Sequence, residues 1–319
     1  MKKVLVWVMF AVVGMFLLAC STEAPGSGGN ANEDTDNTSN NAAGNDSGDA
    51  DYTVGFSIST LNNPFFVTLQ EGAEAKAEEL GIEIIMVDAQ DDDAKQVNDV
   101  EDLIQQGVDV ILINPTDSSS VVTAVSSAND AGIPVITVDR GADGGDVVSH
   151  IASDNVAGGE MAGDLLVELL GEGAEVAEIE GIPGSSAARE RGEGFNNIAT
   201  DALSVVSSQT ANFNRAEGLN VMENILQSNP DIVGVFAHND EMALGALEAA
   251  EASGMDELVI VGFDATDDAV AAVEAGRLAG TVAQQPTLIG EQALETALAF
   301  LQDEDVEDFI PVELELVRE

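Results

Sequence analysis

The stretch Val108-Asp109-Val110-Ile111-Leu112-Ile113 decides the fold, because it is apolar on both faces of a strand. A strand with one face in water alternates apolar and polar residues, whereas a nearly continuous apolar run indicates burial between two layers, as in a parallel sheet. A similar run, Ile82-Glu83-Ile84-Ile85-Met86-Val87, begins 26 residues earlier. Together they predict a parallel sheet with helices on both sides.

Runs of this kind recur at the spacing of consecutive strand–helix units. In the first part of the chain they begin near residues 53, 82, 108 and 133, and the helices between them end at Gly81, Gly107 and Gly132. A second series begins near residues 174, 203, 231, 258 and 279, after a strand at about 147–152 and a helix at about 155–170. Two series predict an α/β protein with two doubly wound parallel-sheet domains; a single long sheet is the alternative.

The composition allows two cores and excludes one class of partner. The chain has 319 residues, of which 45% are hydrophobic, so it can bury two cores of ordinary size. It carries 59 acidic and 10 basic residues, a formal charge of −49. Such a surface repels phosphate backbones, so we expect no nucleic-acid partner. The same surplus suggests a saline environment outside the cell, where a short Debye length weakens self-repulsion.

The N-terminus has the layout of an export signal. Residues 1–19 combine a basic start with an apolar stretch and a small residue before the cut. That stretch is short for a spanning helix of about 20 residues, and a retained anchor is the alternative. Residues 21–51 are mostly Gly, Ser, Asn, Asp, Ala and Thr without an aromatic residue, so residues 20–51 are expected to form a flexible linker.

Leu17-Leu18-Ala19-Cys20 resembles the bacterial lipobox. The resemblance implies that Cys20 carries lipid and that the exported protein is anchored at the outer face of the cell membrane or on the periplasmic side. Cys20 is also the only cysteine, so the chain has no internal disulfide.

In doubly wound sheets, ligands bind outside the carboxyl ends of the strands. The first predicted strand leads into Ser59-Thr60-Leu61-Asn62-Asn63-Pro64-Phe65-Phe66, where Asn63 can cap a helix that starts at Pro64. Neighbouring positions of a helix point in different directions, so Phe65 and Phe66 are not both expected in the core. One of them is then a staple or a ligand contact.

The other predicted strands also end in residues that can contact a ligand. Asn114 and Asn239 taken alone fit helix caps, and Arg189 fits an ion pair on a helix surface. Together, two carboxylates, two guanidinium groups and several amides suit a neutral ligand with many hydroxyls, because carboxylates accept and the other groups donate. The residues at these strand ends are Asn114, Asp139, Arg140, Arg191, Phe213, Asn239, Asp264 and Gln284.

Seven stretches resemble the sugar-binding proteins of bacterial ABC importers, and among these the ribose-binding type. The similarity covers residues 52 to the end, and ordered motifs of this length are far more specific than a short fingerprint. It implies a periplasmic binding protein type I fold with two lobes joined by a hinge. The stretches are residues 59–66, 113–117, 135–140, 149–155, 187–195, 239–247 and 262–264.

By this resemblance, the first lobe comprises residues 51–153 plus 285–312, and the second comprises residues 154–284 plus 313–319. Ala265 stands where the family pattern has glycine, and His238 where glutamine is expected. The implied sugar contacts are Ser59, Asn63, Phe65, Phe66, Asn114, Asp139 and Arg140 in the first lobe, and Arg191, Phe213, Asn239, Asp264 and Gln284 in the second.

The implied mechanism is closure of the hinge around a monosaccharide, ribose first, followed by docking on an ABC permease. No bond is made or broken, so we expect a monomeric binding protein that is not an enzyme and has no catalytic residue, cofactor or metal. A chemoreceptor remains open as a further partner.

Three alternatives stay open. A glycosidase could use paired aspartates, but His150 and His238 are the only histidines, and no metal-ligand spacing or phosphate-binding loop accompanies them. A sugar-responsive repressor would carry a helix-turn-helix at its N-terminus, where this chain has an export signal. The third alternative is a binding protein of the same fold for another sugar or for a furanosyl signalling molecule.

Overall fold

A computed structural model of the chain describes residues 52–318. The predicted signal peptide, Cys20 and the predicted linker lie outside these described residues. None of the helices in the described part is long and apolar enough to cross a membrane.

The first lobe is built on a parallel sheet in the order β11-β5-β4-β3-β1-β2. Its strands are β1 (Thr53–Ile58), β2 (Glu83–Asp88), β3 (Val110–Ile113), β4 (Val135–Val138), β5 (Ser149–Ser153) and β11 (Phe309–Val312). The helices packed on it are α1 (Pro64–Leu80), α2 (Asp93–Gln106), α3 (Val122–Asp130) and α9 (Pro286–Leu301).

The second lobe repeats this plan in the order β12-β10-β9-β8-β6-β7, with only β12 antiparallel to its neighbour. Its strands are β6 (Glu175–Glu180), β7 (Ser204–Thr210), β8 (Gly234–Ala237), β9 (Val259–Asp264), β10 (Gly280–Ala283) and β12 (Glu315–Arg318). Its helices are α4 (Asn155–Leu170), α5 (Ser186–Ala202), α6 (Arg215–Ser228), α7 (Asp240–Ala252) and α8 (Asp267–Glu274). The predicted fold class is confirmed, and the single-sheet alternative is wrong.

The chain passes between the lobes three times within the described residues. The connections run from β5 to α4, from β10 to α9 and from β11 to β12. Each is one or two residues long, so the lobes are joined at one side by short segments that leave little slack.

The run that predicted the parallel sheet is buried on both faces. Val110 and Leu112 belong to the hydrophobic cluster under α1 and α9, while Ile111 and Ile113 belong to the cluster under α2 and α3. Alternate residues of a strand point to opposite faces, so one strand supplies both clusters.

Helix ends follow the local sequence. Asn63 accepts a hydrogen bond from the backbone N–H of Phe65 at 3.0 Å, as an N-cap does. Gly81, Gly107 and Gly132 have φ values of 70°, 76° and 77°, a left-handed backbone that glycine adopts without strain. The predicted helix stops at Gly81 and Gly107 are confirmed, whereas α3 ends earlier, at Asp130, with Ala131 as its C-cap before Gly132.

Candidate functional site

The carboxyl ends of strands from both lobes face one another, and a narrow cavity lies between them. It leaves about 10 Å³ to the centres of water-sized molecules, which is about the room for one water. We call the residues that line this cavity the wall. A monosaccharide therefore reaches the wall only if the two lobes move apart. Ten of the twelve predicted residues line the cavity, together with Ala187; the ten are Asn63, Phe65, Phe66, Asp139, Arg140, Arg191, Phe213, Asn239, Asp264 and Gln284.

In the first lobe, the wall carries Asp139 and Arg140, which follow β4. The Oδ2 of Asp139 accepts from the Nδ2 of Asn114 at 3.3 Å, and the Nε of Arg140 lies 3.8 Å from the same oxygen. The Nη1 of Arg140 donates to the carbonyl of Pro115 at 3.2 Å. Within residues 52–318, the Oδ1 of Asp139 and the Nε of Arg140 have no hydrogen-bond partner. One acceptor and one donor thus remain for a ligand.

Ser59 and Asn114 are not among the residues that line the cavity. The Oδ1 of Asn114 accepts from the backbone N–H of Ser59 at 3.1 Å. Its Nδ2 donates to the carbonyl of Val138 at 3.0 Å and to Asp139 at 3.3 Å. The amide is therefore used inside the lobe, where it orients Asp139.

In the second lobe, the wall carries Asp264, Arg191 and Gln284. The Oδ1 of Asp264 accepts from the Nε2 of Gln284 at 2.8 Å and lies 3.7 Å from the Nη1 of Arg191. Arg191 is held from behind, because its Nε donates to Asn155 at 2.9 Å and its Nη1 donates to the carbonyl of His238 at 2.6 Å. Among the described residues, the Oε1 of Gln284 has no partner.

Burial is the largest influence on the charged groups of the wall. It raises the pKa of Asp139 and of Asp264, and the neighbouring arginines oppose that shift. It also lowers the pKa of Arg140 and of Arg191. The formal charges of these four groups cancel in a space that excludes most water. An ionic ligand would upset that balance, so the wall favours a neutral one.

Phe65 and Phe66 are both buried, with 4% and 2% of their surface exposed, so the expectation that only one lies in the core is wrong. Their rings meet edge to face, with centroids 5.2 Å apart at 83°. The start of α1 lies between its own sheet and the second lobe, and both sides of the helix are covered. The Arg140 guanidinium lies 4.9 Å from the ring of Phe66 and 5.3 Å from that of Phe213 in the second lobe, which links the lobes through cation–π contacts.

Asn239 lines the cavity and also caps a helix. Its Oδ1 accepts from the backbone N–H of Met242 at 3.0 Å, as an N-cap of α7 does. The preceding residue, His238, is buried: its Nδ1 accepts from the backbone N–H of Gly181 at 3.3 Å, and its Nε2 lies 3.0 Å from the Oε1 of Glu178. The amide at Nδ1 assigns the ring proton to Nε2, which then donates to Glu178.

The lobes also touch directly beside the cavity. The backbone N–H of Gly141 donates to the Oγ of Ser186 at 2.8 Å, and the backbone N–H of Ser186 donates to the Oγ of Ser118 at 3.2 Å. Arg189 of α5 pairs with Asp143 at 2.8 Å, with both side chains nearly half exposed. The pair is on the surface, but it joins the two lobes instead of two residues of one helix surface. These contacts hold the two lobes together without passing through the cavity.

Sequence reasoning missed Ala187 on the wall and Asn155 behind Arg191. Both residues lie in stretches that carried the family resemblance, but small or capping side chains in a motif gave no chemical signal of their own. In the part of the chain that the structure describes, no group of three or more His, Cys, Asp or Glu side chains is placed to hold a metal ion.

Residues 54–305 match a family described as periplasmic binding protein domain. Because the match covers most of the chain, the protein belongs to this family. The ribose import binding protein RbsB of Bacillus subtilis (strain 168) is 58% identical over 266 residues, covering 83% of this chain and 87% of that protein. The corresponding RbsB of Escherichia coli (strain K12) is 52% identical over 266 residues, covering 83% and 90%.

Solved structures give the same assignment. An ABC transporter solute binding protein from Bacillus halodurans, with bound myo-inositol, superposes with a TM-score of 0.80 at 36% identity. The superposition covers 85% of this chain and 96% of that one.

Proposed function

We propose that this protein is the substrate-binding component of an ABC sugar importer and that its cavity binds ribose. The observation that carries the proposal is the set of polar atoms on the wall that have no hydrogen-bond partner among residues 52–318: the Oδ1 of Asp139, the Nε of Arg140 and the Oε1 of Gln284. A sugar hydroxyl both donates and accepts, so one uncharged polyol can satisfy acceptors and donors together. Identity of 58% and 52% to two ribose import binding proteins favours ribose among such polyols.

The ten wall residues act as the direct contacts in this proposal. Aspartate and glutamine oxygens accept from hydroxyls, while the arginines and amides donate to ring and hydroxyl oxygens. Phe65, Phe66 and Phe213 cover the C–H faces of the sugar ring. Ser59 and Asn114 contribute by holding Asp139 in place.

Binding proceeds by closure of the hinge. Residues 51–153 plus 285–312 move as one lobe and residues 154–284 plus 313–319 as the other, about the three short connections. Contacts from both lobes exist together only in the closed form, so the sugar stabilises that form by this difference. The monomeric closed protein then docks on the permease, and a chemoreceptor that reads the same closed form is a further partner of this kind. The sugar leaves chemically unchanged, because binding proteins of importers are not enzymes.

The proposal includes export and anchoring. Residues 1–19 direct secretion, Cys20 carries lipid, and residues 20–51 tether the lobes to the membrane. The excess of acidic residues suits a saline exterior, and the melting temperature is therefore expected to rise from low to molar salt. A melting temperature that does not change across the salt series would contradict the proposed saline environment and would leave the proposed sugar binding unaffected.

Calorimetric titration of residues 52–319 with ribose, arabinose, allose, galactose and myo-inositol tests the ligand assignment. Ribose is expected to bind at least tenfold more tightly than any other member of the panel. Tight binding of another sugar would overturn ribose and keep the binding-protein class. Release of a new product from a labelled riboside would overturn the class.

A further inference from the structure

Asp240 is a buried carboxylate that the proposed sugar contacts leave unused. It is the first residue of α7, is fully buried, and does not line the cavity in the part of the chain that the structure describes. A buried carboxylate is costly unless it has several donors around it. Its partners therefore indicate what it does.

The donors around Asp240 come from residues 264–266, which we call the Asp264 segment, and from the neighbouring strand β10. The Oδ2 of Asp240 accepts from the backbone N–H of Thr266 at 2.7 Å and from its Oγ1 at 3.2 Å. The Oδ1 accepts from the Oγ1 of Thr281 at 2.7 Å. That hydroxyl in turn accepts from the backbone N–H of Ala265 at 3.2 Å. One carboxylate thus holds two consecutive amides, one of them directly and one through Thr281.

The segment that it holds has an unfavourable backbone. Asp264 has a φ of 120° and Ala265 a φ of 56°, values that residues other than glycine rarely adopt. Such a conformation persists only when surrounding hydrogen bonds enforce it. Its effect is to turn the Asp264 carboxylate toward Gln284 and into the cavity.

Gly262 provides the room for this arrangement. A Cβ at this position would clash with the Oδ1 of Asp240. The absence of a side chain at position 262 therefore lets Asp240 approach β9, two residues before Asp264.

We propose that Asp240 is a positioning residue for ligand binding: through Thr266 and Thr281 it holds the Asp264 segment in the conformation that presents the Asp264 carboxylate to the sugar. This assignment rests on the proposed sugar site, but it concerns a residue that does not touch the sugar. Burial raises the pKa of Asp240, and the charged groups that face it are Asp264, Glu241 and Arg191.

The test compares Asp240→Ala with Asp240→Asn by calorimetric titration of ribose. Asparagine keeps an acceptor for the Thr266 amide and can donate to the Oγ1 of Thr281, so it is expected to keep affinity within about fivefold of wild type. Alanine removes both links and is expected to weaken binding at least 50-fold. Ribose affinity that is lost in Asp240→Ala and kept in Asp240→Asn would show that the hydrogen bonds of residue 240 position the Asp264 segment.

Two further variants keep the test decisive. Thr281→Val removes the link to Ala265 and the donor to the Oδ1 of Asp240 but keeps both bonds to Thr266, and about a tenfold loss is expected. It decides the matter if Asp240→Ala does not fold. Asp256→Ala, exposed at the opposite end of β9, is the matched control and should bind as wild type does. If wild type binds ribose and both Asp240→Ala and Thr281→Val bind it within threefold, the positioning role is wrong. If wild type binds no sugar of the panel, the failure belongs to the proposed function.

Discussion

The two lobes share one architecture but hold their cavity aspartates in different ways. In the first lobe, Asp139 is oriented by the neutral amide of Asn114, which follows β3. In the second, the segment of Asp264 is held by the carboxylate of Asp240, which follows β8. Because β3 neighbours β4 and β8 neighbours β9, the two holding groups occupy corresponding places in the two sheets.

The difference shows that the strand order fixes the position of the side chain that orients each cavity aspartate, but does not fix the charge of that side chain. An amide can satisfy an aspartate with one donor, whereas a second carboxylate must itself be satisfied by three donors. Next to its cavity aspartate, the second lobe thus buries the carboxylate Asp240 where the first lobe buries the neutral amide Asn114. Its half of the site should be the more sensitive to substitution beneath the wall and to pH.

The largest effect is expected from removing either cavity aspartate. Asp139→Ala and Asp264→Ala each lose charge-assisted hydrogen bonds to hydroxyls and leave an arginine with an unpaired charge. Each loss is expected to cost about 3 kcal/mol, or at least 100-fold in affinity, by titration calorimetry. Circular dichroism should show that both variants remain folded. Binding of ribose within threefold of wild type in either variant would remove that aspartate from the site.

The next effect concerns stability against pH. Burial raises the pKa of Asp240 to about 7, beside Asp264, Glu241 and Arg191, from an ordinary value of 3.8. The folded state then binds more protons than the unfolded state between pH 4 and 7, so this group makes the free energy of unfolding fall as the pH rises through that interval. Asp240→Asn removes this contribution, on the order of 4 kcal/mol.

Urea unfolding at intervals from pH 4 to 8 measures the effect. The free energy of unfolding of Asp240→Asn should vary less over this range than that of wild type, and the gap should close toward pH 4. Asp256→Ala serves as the control, with a profile parallel to that of wild type. Parallel profiles for wild type and Asp240→Asn would show that Asp240 does not titrate in this interval.

A smaller effect is expected where the lobes touch outside the cavity. Ser186→Ala removes the acceptor of the Gly141 amide, a bond between lobes at 2.8 Å. Losing about 1 kcal/mol of closed-state stability should weaken ribose binding about fivefold, because less of the protein is in the binding-competent form. Ser126→Ala, on the exposed face of α3, should leave binding unchanged. An unchanged affinity of Ser186→Ala would mean that this contact persists when the lobes open.

The smallest effect is expected at Ala265. Glycine tolerates its φ of 56° without a clash, so Ala265→Gly should relieve strain that exceeds the extra entropy of the unfolded chain. We expect a net gain of about 0.5 kcal/mol, seen as a rise of one or two degrees in melting temperature, with unchanged ribose affinity. A lower melting temperature would show that Asp240 and Thr281 already remove the strain.

Much of this molecule was predictable from residues 52–318 read as a pattern. The strand starts and the helix stops at Gly81 and Gly107 follow from the hydrophobic period and from glycine positions, which are set by neighbours in the sequence. The ten residues that meet in one cavity were predicted from the family resemblance together with the position of several of them after strands. Ala187 and Asn155 were missed because a methyl group and a residue at a helix start carry no signal until their spatial neighbours are known.

What the sequence by itself determined is the class of fold, because the fold depends on short-range periodicity. The list of polar groups at the cavity came from positions after strands and from the family resemblance. The tertiary structure alone decided the contacts of each group. It buries Phe65 and Phe66 together, since a second lobe covers the face of α1 that would otherwise meet water. It withdraws Asn114 behind Asp139, and it places Asp240 under Asp264, because both arrangements join residues that lie about 25 positions apart in the chain.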